Sequence, residues 1–306
     1  MIWQQPSFQL ATAYPRVRLS SGTNLKESRY APDYILCEFT VQAGHQTLDA
    51  VESIQTVRAV WTGEQWELHF VCEMQIDTPE TPGEKTAGVD LGICNTAAVS
   101  LGDETLLYPG NALKEDAHYF RHEEYATEGE NGPSNEAQRH RRKQARRQDH
   151  FLHVLSKDIV EQCATRSVGT IAVGHPKKIR DDSDWGRHGN KRLHNWAFET
   201  LLSHIEYKAA ERGMNVERVA EGALKTSKTC CECGTEADSN RVERGLYVCS
   251  ECNLVANSDL NAAENIRATV TPNPSQDRSN GCLAQPSVRL FDKSTGQVAP
   301  QEQVTS

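Results

Sequence analysis

Four cysteines lie in two tight pairs, Cys230 with Cys233 and Cys249 with Cys252, and 15 residues separate the pairs. Each Cys-x-x-Cys turn can aim two sulfurs at one ion, so together they match the four-thiolate template of structural zinc. A closed four-sulfur site leaves no open position for substrate, so this zinc would fold its module rather than catalyse. Cys231 falls inside the first pair and is read as a non-ligand, because Cys230 and Cys233 already keep the knuckle spacing. Two carboxylates offer a second chemistry. Asp90 ends an apolar stretch in AGVDLG, and Asp259 stands near the start of the helical run NSDLNAAENIR. Each has an ordinary local role, at a turn or as a helix cap. Brought together by the fold, they could hold a pair of Mg²⁺ ions roughly 4 Å apart that activate water and stabilise the leaving oxygen in phosphodiester cleavage.

A third feature is electrostatic. The chain carries a formal net charge of -9, which argues against a globally basic nucleic-acid binder. Yet Arg139, Arg141, Arg142, Lys143, Arg146 and Arg147 crowd one short stretch with no acid among them. Such a cluster either contacts a phosphate backbone or solvates a helix face. The acidic excess elsewhere fits solubility, and it equally fits adaptation to high intracellular salt. No stretch approaches the roughly 18 apolar residues of a membrane span, and the first ten residues lack the plan of a signal peptide. A cytoplasmic protein without membrane partners is expected, in which the two tight pairs among its ten cysteines serve metal ligation rather than a disulfide framework.

These residues need elements to hold them. From Tyr34 to Met74 alternating and β-branched runs predict antiparallel strands, closed by a Pro/Gly/Thr-rich link from Thr78 to Lys85. AGVDLGICNTAAVSLGDETLLYP reads as three short strands, followed by an acidic, Gly-containing loop and a long helix from about Ser134 to Arg166. Val168 to Val173 is a strand, Lys177 to Arg192 a polar segment, Trp196 to Arg212 an amphipathic helix ending at Gly213, and Val216 to Val219 a further strand. The order predicts an α/β fold with a mixed sheet and helices packed against it. The Pro, Ser, Gln and Gly content of Thr269 to Ser306 predicts a disordered tail.

AGVDLGICNTAAVS, TSKTCCECG and GLYVCSECNLVANSDLNAAENIR, in this order, resemble the TnpB (OrfB) proteins of insertion sequences, relatives of the type V CRISPR effectors. The resemblance covers roughly Leu48 to Asn265. It implies an RNase H-like (RuvC) core, a zinc ribbon inserted before the last helix, a partial wedge-like β-barrel ahead of the core, a guide RNA transcribed from the transposon end, and Mg²⁺-dependent DNA cleavage. The expected domains are residues 1–80 for the barrel segment, 81–224 for the core, 225–256 for the ribbon, 257–268 for the closing helix and 269–306 for the tail. Asp90 and Asp259 fall on the first and last acids of the family's nuclease triad. The middle glutamate is expected at the end of the strand that here reads TIAVGHP, where Gly174 stands. Glu221, just past the strand around Val216 to Val219, is the candidate replacement, with His175 a poorer one because imidazole suits hard Mg²⁺ badly. Family members also begin with a helical lobe not seen here, so the chain is expected to be N-terminally truncated and not to cut double-stranded DNA under guide control.

Three functions compete. The first is an RNA-guided DNA endonuclease of transposon origin. The second is a nuclease-dead remnant that binds nucleic acid without cutting. The third, a zinc-ribbon partner-binding protein, explains the cysteines but neither Asp90 nor the basic cluster.

Overall fold

The computed structural model describes residues 2–4, 8–10, 16–21, 34–40, 51–74, 79–126, 128–129, 132–175, 198–220, 225–243, 245–271 and 282–304. The chain divides into two compact units, Met1–Asp77 and Thr78–Ser306. Among its described residues the first unit is built of strands. β1 (Ile2–Gln4), β5 (Val51–Trp61) and β6 (Trp66–Met74) form one antiparallel sheet, and β2 (Phe8–Leu10), β3 (Arg16–Ser20) and β4 (Tyr34–Glu38) form another. Val17, Leu19 and Val57 are buried where the sheets meet, with Ile35, Phe39, Leu68 and Phe70 packed around them. Strand alternation puts these residues on inner faces, as in a β-sandwich or partial barrel.

The second unit is built on a seven-stranded mixed sheet. Its strands are β7 (Lys85–Asp90), β8 (Asn95–Ser100), β9 (Thr105–Pro109), β12 (Val168–His175), β13 (Asn215–Ala220), β17 (Ser287–Asp292) and β18 (Gln297–Pro300). Their spatial order is β13-β12-β7-β8-β9-β17-β18. The three central strands are antiparallel, whereas β12 and β13 extend the sheet in parallel from β7. That parallel extension needs long crossovers, and helices supply them. A two-residue ladder, β10 (Glu128–Gly129) with β11 (Gly132–Pro133), precedes the longest helix.

The two sheet faces are covered differently. Helix α2 (Asn135–Thr165) and helix α3 (Phe198–Ala210) share one face. There Phe151, Leu155, Ile159, Leu201 and Ile205 pack on Val89, Val99, Ile171 and Val173. The opposite face receives helix α4 (Ser258–Ala268), whose Leu260, Ala263 and Ile266 meet Ala98 and Ala172. Ser134 caps α2, its hydroxyl accepting from the Ala137 amide at 3.1 Å. Gly213 ends the α3 connection at φ +70, a backbone conformation that L side chains rarely adopt.

Two expectations are corrected. The stretch read as an acidic loop contains helix α1 (Asn111–Ala126). Its acids do not signal a loop: Phe120 is buried, and Asp116 takes a bidentate bond from Arg147 of α2 at 2.6 and 2.9 Å. The tail is not disordered throughout, because β17 and β18 complete the sheet and a short helix, α5 (Gln301–Val304), follows. Alternation in SVRLFD puts Phe291 against Phe151, with ring centroids 5.1 Å apart. Arg289 forks onto Asp158 at 2.5 and 2.6 Å, and the Tyr108 hydroxyl donates to the same carboxylate at 2.8 Å. A Pro- and Ser-rich average concealed that short stretch. The polar segment from Lys177 to Arg192 lies outside the described residues.

Candidate nuclease centre and zinc ribbon

Helix α4 can lie on the sheet because residue 88 has no side chain. A Cβ there would stand 2.0 Å from the Ala263 carbonyl oxygen and 2.7 Å from the Arg267 amide. Gly88 pairs with Ser100 across the β7–β8 ladder, and the Ser100 hydroxyl donates to Glu264 at 2.6 Å. Nearer the start of β8, the Asn95 amide donates to Asp259 Oδ2 at 2.8 Å. Advancing from Gly88 to Asp90 therefore runs toward the helix's N-terminal Asp259. Asp90 shares the strand parity of Gly88, so its side chain leaves the sheet on the α4 face. The fold thus brings both predicted aspartates to one end of the same helix–sheet contact. Both are partly exposed.

The helix start is fixed from several directions. Asn257 caps α4, accepting from the amides of Asp259 and Leu260 at 2.9 and 3.3 Å. Arg241, from the ribbon strand β14 (Arg241–Glu243), approaches Asp259 Oδ1 at 3.7 Å. Glu264 and Arg267 form a fully buried pair at 2.8 and 2.9 Å, and Ser100 adds a further donor to the same carboxylate. A buried charge survives only when it is paired and hydrogen-bonded in this way.

Gly174 is buried in β12 and pairs with Val219, while His175 pairs with Ala220. On the strand next to that of Asp90, the end of β12 thus offers no carboxylate at position 174. Glu221 comes immediately after Ala220, but it lies outside the described residues.

The ribbon gathers its four cysteines closely. One Sγ from each of Cys230, Cys233, Cys249 and Cys252 lies within 4.8 Å of the others, and all are free thiols. Cys230 and Cys252 are 3.6 Å apart and Cys233 and Cys249 3.5 Å. Sulfurs about 2.3 Å from a tetrahedral zinc would be roughly 3.8 Å apart, so the set fits that ion. The two knuckles repeat one backbone design. Gly234 N–H returns to the Cys230 carbonyl at 2.9 Å and Asn253 N–H to the Cys249 carbonyl at 3.0 Å, with φ of +75 and +58 at the returning residues. Hydrogen bonding from Thr235 pulls the Cys233 thiol down to about 6, whereas burial pushes Cys230 up. Strand β15 (Leu246–Val248) pairs with β14 and with β16 (Val255–Asn257), and Tyr247 is fully buried beneath the knuckles.

Cys231 turns instead toward Leu260 and Ala256, consistent with its reading as a non-ligand. Its backbone amide donates to Asn261 Oδ1 at 3.0 Å, and Asn261 Nδ2 donates to the Thr229 carbonyl at 2.8 Å. Asn265 donates to the carbonyls of Thr226 and Thr229. The first knuckle is therefore clamped to the helix that carries Asp259. Sequence reasoning missed Asn95, Asn261, Asn265 and Gly88. Only the Asn-rich, small-residue spelling of DLNAAENI hinted at close, hydrogen-bonded packing.

The predicted basic residues all lie on α2, and their positions differ. Arg139, Arg141, Lys143, Arg146 and Arg147 are exposed and Arg142 half-buried. Arg147 is tied to Asp116, and Arg139 lies 3.7 Å from Glu136.

A mixed sheet with an acidic helix start on one face, followed through a four-cysteine ribbon, defines a RuvC-like core. The structure of a Cas12f1–sgRNA–target DNA complex shares this fold, with a TM-score of 0.51 at 20% identity over 69% of this chain and 55% of that one. Residues 69–180 match a family model described as a probable transposase of the OrfB type, and residues 198–266 match the Cas12f1-like TNB domain. Over these residues the chain is similar to the TnpB (OrfB) proteins. The TnpB-like protein ORF457 of Acidianus two-tailed virus is 32% identical over 63% of this chain and 43% of its own. The TnpB-like protein MJ0751 of Methanocaldococcus jannaschii is 32% identical over 40% of this chain and 43% of its own. The CRISPR-associated endodeoxyribonuclease Cas12f1 of Sulfoacidibacillus thermotolerans is 35% identical over 37% of this chain and 25% of its own. The chain thus spans less than half the length of these relatives. Among the described residues, no helix is long and apolar enough to cross a membrane.

Proposed function

We propose that the chain carries the nuclease core of an RNA-guided DNA endonuclease of transposon origin, with Asp90 and Asp259 as Mg²⁺ ligands and Glu221 as the third carboxylate. The observation that supports this reading is the seating of α4, which carries Asp259 to the Asp90 end of β7 through the Gly88, Ser100 and Asn95 contacts. The donor set suits a hard cation, because both side chains offer carboxylate oxygens at a partly exposed edge. A bound Mg²⁺ pair would supply an activated water and stabilise the departing oxygen of a phosphodiester. The chain's own residues do the positioning. Asn95 holds Asp259 Oδ2, the Asn257 cap fixes the helix start, and Arg241 places a cation beside the same carboxylate. The ribbon cysteines hold zinc in a structural role, and the exposed cations of α2 contact the backbone of DNA or of a guide RNA from the transposon end.

Gly174 favours a second reading, in which the same fold binds nucleic acid without cutting. Incubating the purified chain with Mg²⁺ and labelled single-stranded DNA separates the two. The nuclease reading expects slow, metal-dependent cleavage that Asp90→Ala or Asp259→Ala abolishes while binding persists. Binding without any metal-dependent cleavage decides for the second reading.

A further inference from the structure

Away from the sheet edge that carries the aspartates, α2 and α3 bring a second set of metal-binding side chains together. Asp149 and His153 stand one turn apart on α2, and His204 reaches them from α3. One ligand atom from each lies within 4.8 Å of the other two. We propose that Asp149, His153 and His204 form a surface site for a divalent transition metal of zinc's class, which ties α2 to α3.

Two observations carry this beyond proximity. First, the His153 ring is oriented as a metal-binding imidazole is. Its Nε2 faces Asp149 Oδ2 at 3.8 Å, too long for a hydrogen bond, while its Nδ1 is engaged by the Tyr207 hydroxyl at 3.2 Å. An imidazole fixed through one nitrogen presents the other to an ion. Second, His204 Nδ1 is shut off from solvent and has no hydrogen-bond partner among the described residues. A buried polar atom left unsatisfied is costly, and coordination is one way to satisfy an imidazole nitrogen. Against these stands the stacking of the two imidazoles at 3.9 Å with 25° between their planes, so one ring must turn before both in-plane lone pairs meet one ion.

The donor chemistry selects the ion. Two imidazoles and a carboxylate suit zinc, nickel or copper, whereas Mg²⁺ and Ca²⁺ prefer all-oxygen shells. Asp149 is exposed and His153 partly so, and water can complete the coordination. Lys208 is the opposing charge. Its ammonium lies 3.4 Å from His153 Nδ1, but it is held on that side of the ring by the His153 carbonyl at 2.8 Å and the Ser156 hydroxyl at 2.5 Å. It therefore weakens the site without blocking the nitrogen that faces Asp149. The consequence is mechanical. α2 leads into β12 and α3 into β13, so an ion between them braces the parallel half of the sheet.

The test uses the full chain with its ribbon zinc in place, titrated with Co²⁺. A second equivalent is expected to bind with a d–d spectrum and without the sulfur-to-cobalt charge-transfer bands that a thiolate site would show. His204→Ala and His153→Asn should each weaken that equivalent by at least about tenfold, since even outer-shell changes cost 10–100-fold at metal sites. Added Zn²⁺ should raise the melting temperature of the parent chain and leave that of His153→Asn unmoved. Binding of only the ribbon equivalent, or equal affinity for the second ion in both variants, overturns the proposal. His153→Asn changes a partly exposed side chain, so it reads the site even if His204→Ala fails to fold.

Discussion

The ribbon and the acidic edge of the sheet are both candidate metal centres, yet they are assembled by opposite means. The ribbon's ligands come from two copies of one local turn, each closed by its own backbone hydrogen bond and a left-handed residue, Gly234 or Asn253. The acidic centre has no local unit. Asp90 ends a strand and Asp259 begins a helix that is distant in sequence, and their meeting depends on a glycine, a serine and an asparagine that bind no metal. A site made of local turns tolerates change around it, whereas a site made by docking is only as sound as the docked contact. The two are also joined, because Asn261 and Asn265 fasten the first knuckle to α4.

The largest effect should follow removal of the ribbon metal. Structural zinc is worth about 10–16 kcal/mol in comparable modules, so chelation or Cys249→Ser should unfold residues 226–257, read as new protease-sensitive sites. Through Asn261 the start of α4 should loosen too, and metal-dependent cleavage should fall. An unfolded ribbon with undiminished cleavage would show that the two centres are independent.

Gly88→Ala attacks the other member of the comparison. Its Cβ meets the Ala263 carbonyl, a backbone atom that cannot swing aside, so a loss of about 3 kcal/mol, the upper part of the overpacking range, is expected in denaturant unfolding. The knuckles should keep their zinc in this variant. Loss of zinc along with stability would mean that the ribbon depends on the docking as much as the acids do.

Asn261→Ala strikes the joint itself. It removes the acceptor for the Cys231 amide, at about 1–3 kcal/mol for the loss of a partner at a part-buried donor, while Asn265 still donates to the Thr229 carbonyl. Zinc stoichiometry should stay at the parent value while cleavage drops.

The smallest effect on stability is expected in the basic helix. Replacing Arg141, Arg142 and Arg146 with Gln should change stability by less than about 0.5 kcal/mol, yet flatten the salt dependence of DNA binding. Arg147→Gln should do the reverse, with a loss near 1 kcal/mol from its fork on Asp116. An unchanged salt slope in the triple variant would leave the cluster as a solvated helix face.

The sequence by itself determined what is set within a few residues. The Cys-x-x-Cys spacing, the short strands around Asp90 and the long helix from about Ser134 to Arg166 all follow from periodicities and turns that hold in any surroundings. Even the exception of Cys231 could be read from spacing. Tertiary structure decided the rest. Phe120 turned an acidic stretch into a helix, and the Arg289 fork on Asp158 recruited part of a polar tail as the strand beside β9. Gly88 opened the space for α4, and the aspartates acquired a common edge only when that helix came down on the sheet. The physical reason is the same each time. Local preferences are small and short-ranged, while burial of one ring, one ion pair or one helix against a glycine is settled by residues that sequence distance keeps out of view.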